Sequence, residues 1–252
     1  MPASAFALPP EFAVGALSAF AVGLGKGGLA MMGTFGVPIF ALAISPIRAA
    51  AILLPVFVFS DVFAIWLYRR EFSVRNLAIL VPAAIVGIAT GWLFAARISD
   101  AGVGILVGVL GLGFCLNAWR VRHRKPVPHG ADVPRGLMWG SMLGFASFVS
   151  HAGAPPFQIY VLPQRLPRAV YAGTSAFTFA AVNAIKLVPY GALGQLSAPN
   201  LRLSAWLLVP ALVGTQVGRY AVKVLPEKVY YAFLQVALGA ISVDLILKGV
   251  LG

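Results

Sequence analysis

Two short stretches carry ionisable side chains inside otherwise apolar sequence. The first is Gly23-Leu-Gly-Lys-Gly-Gly-Leu-Ala-Met-Met-Gly-Thr-Phe-Gly-Val-Pro38, in which Lys26 stands among Gly25, Gly27 and Gly28. The second is Ser150-His-Ala-Gly-Ala-Pro-Pro-Phe-Gln-Ile-Tyr-Val-Leu-Pro163, in which Ser150, His151 and Gly153 precede two prolines. Glycines leave backbone N–H groups open to a cavity, and a half-helix starting at such a break turns its positive end toward an anion. A lysine there adds a counter-charge. At the centre of a bilayer that charge costs about 2.5–3.5 kcal/mol unless it is solvated or paired. Two readings of Lys26 follow: a cation facing an anionic substrate in a wet cavity, or a lysine that reaches the nearer interface or is neutralised by Asp61.

Further polar groups extend the candidate site. Asp61 precedes Arg69, the inner end of its segment, by about 12 Å of helix. Its side chain is too short to reach water, so it needs a partner: a proton to carry, or a structural ion pair with Lys26 or Arg97. His151 titrates near neutral pH and reads either as an anion ligand and proton carrier or as a hydrogen-bonded structural group. Asn183 and Lys186 share a helix face, although Lys186 lies close enough to Pro189-Tyr-Gly191 for its stem to reach the outer interface. Thr174 and Ser175, with Ser150 and Gln158, are neutral donors able to complete an oxyanion cage, or hydroxyls that bond helix backbone.

Enzymatic alternatives are thin. The run from Gly23 to Gly28 matches a dinucleotide fingerprint in form alone, because no strand precedes it and no Ser or Thr follows Lys26 to hold a metal. The sequence assembles no Ser-His-Asp set, no pair of catalytic carboxylates and no metal-ligand cluster. Neither a catalytic residue nor a metal nor a cofactor is expected. Cys115 is the single cysteine, so an internal disulfide is excluded.

The elements that would position these groups are membrane helices. Of 252 residues, 60% are hydrophobic and 10% charged, against roughly a quarter charged in a soluble domain, and the mean hydropathy is +0.90. The net charge of +12 falls in short clusters between apolar runs, as for cytoplasmic loops, and does not form a nucleic-acid groove. The partners implied are a lipid bilayer and a small anionic substrate, with no nucleic acid; a homo-oligomer is compatible with the sequence. Residues 11–44 would measure about 51 Å as one helix, too long for one span of about 30 Å and too short for two. A broken, re-entrant hairpin unwound at 23–28 fits. Apolar segments follow at 47–68, 76–96 and 101–119, completing a first repeat over 1–119.

A basic linker at 120–135 then divides the chain. The second half, 136–252, repeats the plan with a shorter broken hairpin at 136–162 and helices at 168–190, 203–224 and 228–248. Val81-Pro82 with Gly87 and Gly91 is echoed by Val209-Pro210 with Gly214 and Gly218. The expected fold is all-α: a polytopic helical membrane protein of two inverted repeats, each a re-entrant hairpin plus three transmembrane helices. Inversion puts the basic clusters at 69–75, 120–135, 165–168 and 223–228 on the cytoplasmic face and both termini outside, leaving Arg48, Arg97, Arg202 and Lys248 on the outer side.

With these motifs in order, the chain resembles the TauE/SafE family of small membrane transporters. The resemblance rests on Gly25-Lys-Gly-Gly28 leading to Pro38 and Pro46-Ile-Arg-Ala49, and on His151-Ala-Gly-Ala-Pro-Pro156 leading to Pro163 and Leu166-Pro-Arg-Ala169. Ala172-Gly-Thr-Ser175 and Asn183-x-x-Lys186 extend it. Lys26 stands where the family more usually has a small or apolar residue, and Ala154 replaces a glycine. The resemblance implies a secondary transporter in a bacterial-type inner membrane, exporting sulfite or a short-chain organosulfonate, with alternating access by movement of one repeat against the other as the expected mechanism. An anion channel, a carrier of another small organic anion, and a membrane-embedded enzyme or assembly factor are the alternatives.

Overall fold

The computed structural model describes residues 10–27, 30–95, 97, 99–121, 130–224 and 227–251, and every regular element among them is helical. Gly28 of the first candidate stretch and residues 122–129 of the basic linker lie outside the described residues. The first hairpin consists of α1 (Phe12–Lys26), a 3-10 turn (Ala30–Phe35) and α2 (Gly36–Phe40). Its arms touch closely: Ser18 Oγ donates to the Gly36 carbonyl at 2.6 Å, and a Cβ on Gly15 would lie 2.8 Å from the Phe40 ring. The second hairpin pairs α6 (Val133–Ser150) with α7 (Ala154–Val161). Asp132 caps α6 by accepting from Arg135 N at 2.8 Å. Its carbonyl accepts the Tyr160 hydroxyl at 2.9 Å, which closes the two arms.

The remaining elements are α3 (Pro46–Tyr68), α4 (Val74–Ala95), α5 (Asp100–Val121), α8 (Arg168–Ala192), α9 (Ala198–Val224) and α10 (Glu227–Leu251). Within α3, α4, α5 and α9, the segments Pro46–Trp66, Val74–Ala95, Asp100–Asn117 and Ala198–Gly218 are long and apolar enough to cross a membrane. The distribution of polarity is that of a protein dissolved in lipid. Trp66, Val86, Leu116, Trp119 and Val188 face outward, while Asp61, Thr174, Thr178, Asn183 and Lys186 are buried. Charge inside and hydrocarbon outside is the expected order where the solvent is a bilayer.

Two boundaries and one tip differ from expectation. Helix α9 begins at Ala198, ahead of the expected 203, because Pro199 fits a first turn whose N–H groups need no intrahelical partner. Helix α6 begins at Val133, inside the stretch assigned to the linker. The tip of the first hairpin is not unwound from Gly23, since α1 stays helical through Lys26. Gly23 serves packing instead.

Packing is reciprocal between the two halves. Helix α1 lies along α9, α4 along α6, α3 against α8 and α5 against α10. A Cβ on Gly87 would collide with the Ser141 carbonyl, and one on Gly144 with the Ala84 carbonyl; Gly23 and Gly214 stand in the same relation to Ala211 and Phe20. In each crossing, both helices place a glycine against the other's backbone three residues before its own glycine. Small residues permit that approach.

Polar contacts tie the helix ends in two groups. At one end Arg48, in the first turn of α3, donates to Asn200 of α9 at 3.0 Å and to Glu11, ahead of α1, at 2.9 Å. At the other, Asn76 of α4 and Gln164, ahead of α8, exchange amide bonds at 2.9 and 3.0 Å, while Arg75 donates to Ala131 ahead of α6 at 3.0 Å. The first end gathers the starts of α1, α3 and α9, and the second gathers those of α4, α6 and α8.

Candidate functional site

The tips of both hairpins border one cavity of about 170 Å³. Helix α8 supplies its long wall: Tyr171, Ser175, Phe179 and Asn183 recur at four-residue spacing and so fall on one face. Gly25, Lys26, Gly33 and Thr34 come from the first hairpin, Ser147, His151, Phe157 and Gln158 from the second, and Phe57 from α3. The lining mixes aromatic rings with hydrogen-bond donors.

Lys26 sits in the last turn of α1, where a cation complements the negative end of the helix dipole. Its Nζ lies 2.5 Å from Asp61 Oδ1 and 5.6 Å from the centre of the Phe57 ring. The second carboxylate oxygen of Asp61 accepts from Asn183 Nδ2 at 2.6 Å. Both oxygens of a carboxylate that is 3% exposed are thus held by charge-assisted bonds, worth about 1.5–3 kcal/mol each. Of the partners weighed for Asp61, the structure pairs it with Lys26 and not with Arg97. Lys26 neither snorkels nor stands uncompensated, and its ammonium keeps two protons for another acceptor.

His151 ends α6 in the left-handed region, with φ of 53°. A side chain there costs about 1–2 kcal/mol, and three contacts hold it. Its Nε2 lies 2.8 Å from the Ala50 carbonyl, its Nδ1 lies 2.5 Å from Lys186 Nζ, and its ring packs on Phe57 with centroids 4.6 Å apart. Both nitrogens are occupied, so the cavity meets the ring's carbon edge and face. Lys186 is fully buried and donates to the Ser147 carbonyl and Oγ, each at 3.0 Å. The expectation that its stem reaches the outer interface is corrected: Ser147 and His151 draw it into the core.

The structure brings together Gly25, Lys26, His151, Ser175 and Asn183 around the cavity, with Asp61 joined to it through Lys26 and Asn183. It places Thr174 elsewhere, donating to Val170 O at 2.6 Å and accepting from Ser73 N at 2.9 Å. Ser150 donates to Ala146 O at 3.3 Å. Gly153 packs against Leu143 and Phe179, and Gly27 caps α1 through a bond to Gly23 O at 2.8 Å. The long half-helices α1 and α6 reach the tips with their C-terminal ends, whereas the short α7, which starts at the second break, turns its N-terminal end toward the cavity at Ala154. Pro155 and Pro156 lack N–H groups, so side chains, not backbone amides, dominate the donor set. Ser147, Phe57, Phe157, Tyr171 and Phe179 were missed as lining residues. The four-residue spacing from Tyr171 to Asn183 was the available signal.

Such a cavity can hold a small anion with an apolar portion. Lys26 offers charge, Gln158 and Ser175 offer donors that make no other side-chain hydrogen bond among the described residues, and Phe57, Phe157 and Phe179 offer an apolar wall. Among the described residues no group of three or more His, Cys, Asp or Glu is arranged to hold a metal. Comparison with known protein families matches residues 11–245 to the family described as sulfite exporter TauE/SafE. No curated protein and no solved structure matches the chain.

Proposed function

Because the chain belongs to the sulfite exporter TauE/SafE family, we propose that it is a secondary transporter that carries sulfite or a short-chain organosulfonate out of the cell across a bacterial-type inner membrane. The observation that supports this reading best is the cavity between two broken hairpins, with Lys26 at its edge. In this reading Lys26, Gln158, Ser175 and Asn183 replace the anion's hydration, and Phe57, Phe157 and Phe179 take its carbon portion. The halves act as inverted repeats, a reading supported by the exchange of packing partners between them and by the two groups of helix ends. Broken helices meeting at the membrane midplane are a recurrent way to build such sites.

Alternating access moves the site between the two faces. Because α1 is clasped by α9 and α6 by α4, the bodies that shift are the first hairpin with α9 and the second with α4, each drawn from both halves. The cavity lies on the side where α8 begins, which the positive-inside rule assigns to the cytoplasm. At the other side Glu11, Arg48 and Asn200 hold the ends together.

The test is uptake and counterflow exchange in proteoliposomes with sulfite, thiosulfate, sulfoacetate and taurine, against carboxylate controls. Saturable exchange of a labelled sulfur anion is expected, reduced in Lys26→Ala. Normal exchange in Lys26→Ala would show that Lys26 is not a ligand of the anion, and absence of exchange for every sulfur anion would remove the transporter reading.

A further inference from the structure

Lys186 takes no part in the proposed anion contacts, yet it is fully buried one turn beyond Asn183. Three atoms surround its Nζ: the Ser147 carbonyl and Ser147 Oγ at 3.0 Å each, and His151 Nδ1 at 2.5 Å. The Ala50 carbonyl can only accept, so His151 Nε2 at 2.8 Å from it carries the ring proton and Nδ1 is an acceptor. Lys186 therefore faces two obligate acceptors and one hydroxyl that serves either way.

This environment satisfies both protonation states. An ammonium donates to all three atoms. A neutral amine donates to the Ser147 carbonyl and to His151 Nδ1, and accepts from the Ser147 hydroxyl. Rotation of that one hydroxyl converts one arrangement into the other, and no buried polar group loses its partner, a loss that ordinarily opposes titration in an interior. Ser147, whose hydroxyl contacts Lys186 Nζ, also lines the cavity.

The neighbouring titratable groups are less suited to the exchange. Asp61 has both oxygens engaged by Lys26 and Asn183. A proton added to His151 Nδ1 would point at Lys186 Nζ. Tyr190, on the next turn of α8, donates to the Phe148 carbonyl at 2.5 Å. The nearby charges are Asp61 and Lys26, which are paired with each other.

We propose that Lys186 is the proton-binding site that couples anion movement to protons. This rests on the transporter reading given above. With Lys26 and Asp61 offsetting each other, an entering monoanion leaves one negative charge unbalanced. One proton passes from cavity water through the Ser147 hydroxyl to Lys186 Nζ and balances it. Anion and proton then depart to the same side and the amine is restored, so no net charge crosses and export runs down the anion's own concentration gradient.

The test uses purified full-length protein in proteoliposomes, with ethanesulfonate, which stays ionised and carries no proton itself. Internal pH and labelled sulfonate are followed while the membrane potential is clamped. Wild type is expected to move one proton per sulfonate and to accumulate sulfonate tenfold on the alkaline side for one pH unit, with potential alone giving none. Lys186→Met is expected to lose pH-driven accumulation, its remaining flux following the potential at tenfold per about 59 mV. Ser147→Ala, a second variant should Lys186→Met fail to fold, is expected to slow proton uptake about tenfold without changing the end point. Wild-type flux that follows the potential and moves no protons would overturn the coupling while leaving the transporter reading intact. Full pH-driven accumulation in Lys186→Met would overturn the assignment to that residue. Absence of flux for ethanesulfonate and for every other sulfur anion would overturn the transporter reading and this one with it.

Discussion

Removing Lys26 and Asp61 separately and together tests whether the site is built on a coupled pair. Asp61 is 3% exposed and Lys26 Nζ lies 2.5 Å from its Oδ1. Lys26→Ala leaves a buried carboxylate with Asn183 as its remaining partner, a loss of about 3–5 kcal/mol. Asp61→Ala costs less, about 2–3 kcal/mol, roughly the value of a lost hydrogen bond to a charged group, because Lys26 borders the cavity and its ammonium can turn toward water. The double variant buries no charge, so its loss should fall short of the sum of the singles by about 2–3 kcal/mol, within the range for residues in direct contact. Unfolding free energies in detergent, measured for wild type and the three variants, give that difference. Additivity within about 0.5 kcal/mol would refute the argument that the pair acts as one unit.

Other consequences can be measured independently. Gly87→Ala and Gly214→Ala each drive a methyl group into a neighbouring backbone carbonyl and should destabilise by about 1–3 kcal/mol, whereas Gly113→Ala, with nothing within 4 Å of the added atom, should leave the thermal midpoint unchanged. Gln158→Ala and Ser175→Ala should each raise the half-saturating concentration for a sulfonate about tenfold, the equivalent of one lost charge-assisted hydrogen bond, measured by counterflow exchange. Single cysteines placed at the exposed positions Ser197 and Arg165, after Cys115→Ser, should react with an impermeant maleimide from opposite sides of the membrane; equal reaction from one side would refute the inverted arrangement. Tyr190→Phe removes the buried bond to Phe148 and should cost about 1–3 kcal/mol in the same unfolding assay.

Much of the architecture was legible because bilayers impose it. Helix lengths, the break near Lys26, the break near His151 and the doubled order of elements all follow from apolar run length, prolines and glycines. What individual glycines do was not legible. Gly23 looks like a helix breaker in sequence, but its missing side chain admits the Ala211 carbonyl, and that depends on a helix far away in the chain. For Asp61 the need for a partner was readable from its depth, and the candidate Lys26 was named, but Asn183 as second partner depended on how α8 rotates against α3. Lys186 misled for a similar reason. Its distance from the helix end allowed an interfacial position, and only the left-handed turn at His151, which presents Nδ1 and the Ser147 carbonyl together, draws the ammonium inward. Tyr171, Ser175, Phe179 and Asn183 show the opposite case, in which spacing alone marked a common face.

The reciprocal glycine crossings bear on how the molecule is made. As the chain emerges and inserts in order, α1 enters the membrane with the face around Gly23 open, and its counterpart α9 follows only after α2 through α8. Lipid or an insertion factor must occupy that groove in the meantime, and the first hairpin completes its packing only after α9 has emerged. A nascent chain halted before α9 is therefore an unfinished object, and a quality-control protease should recognise it at α1.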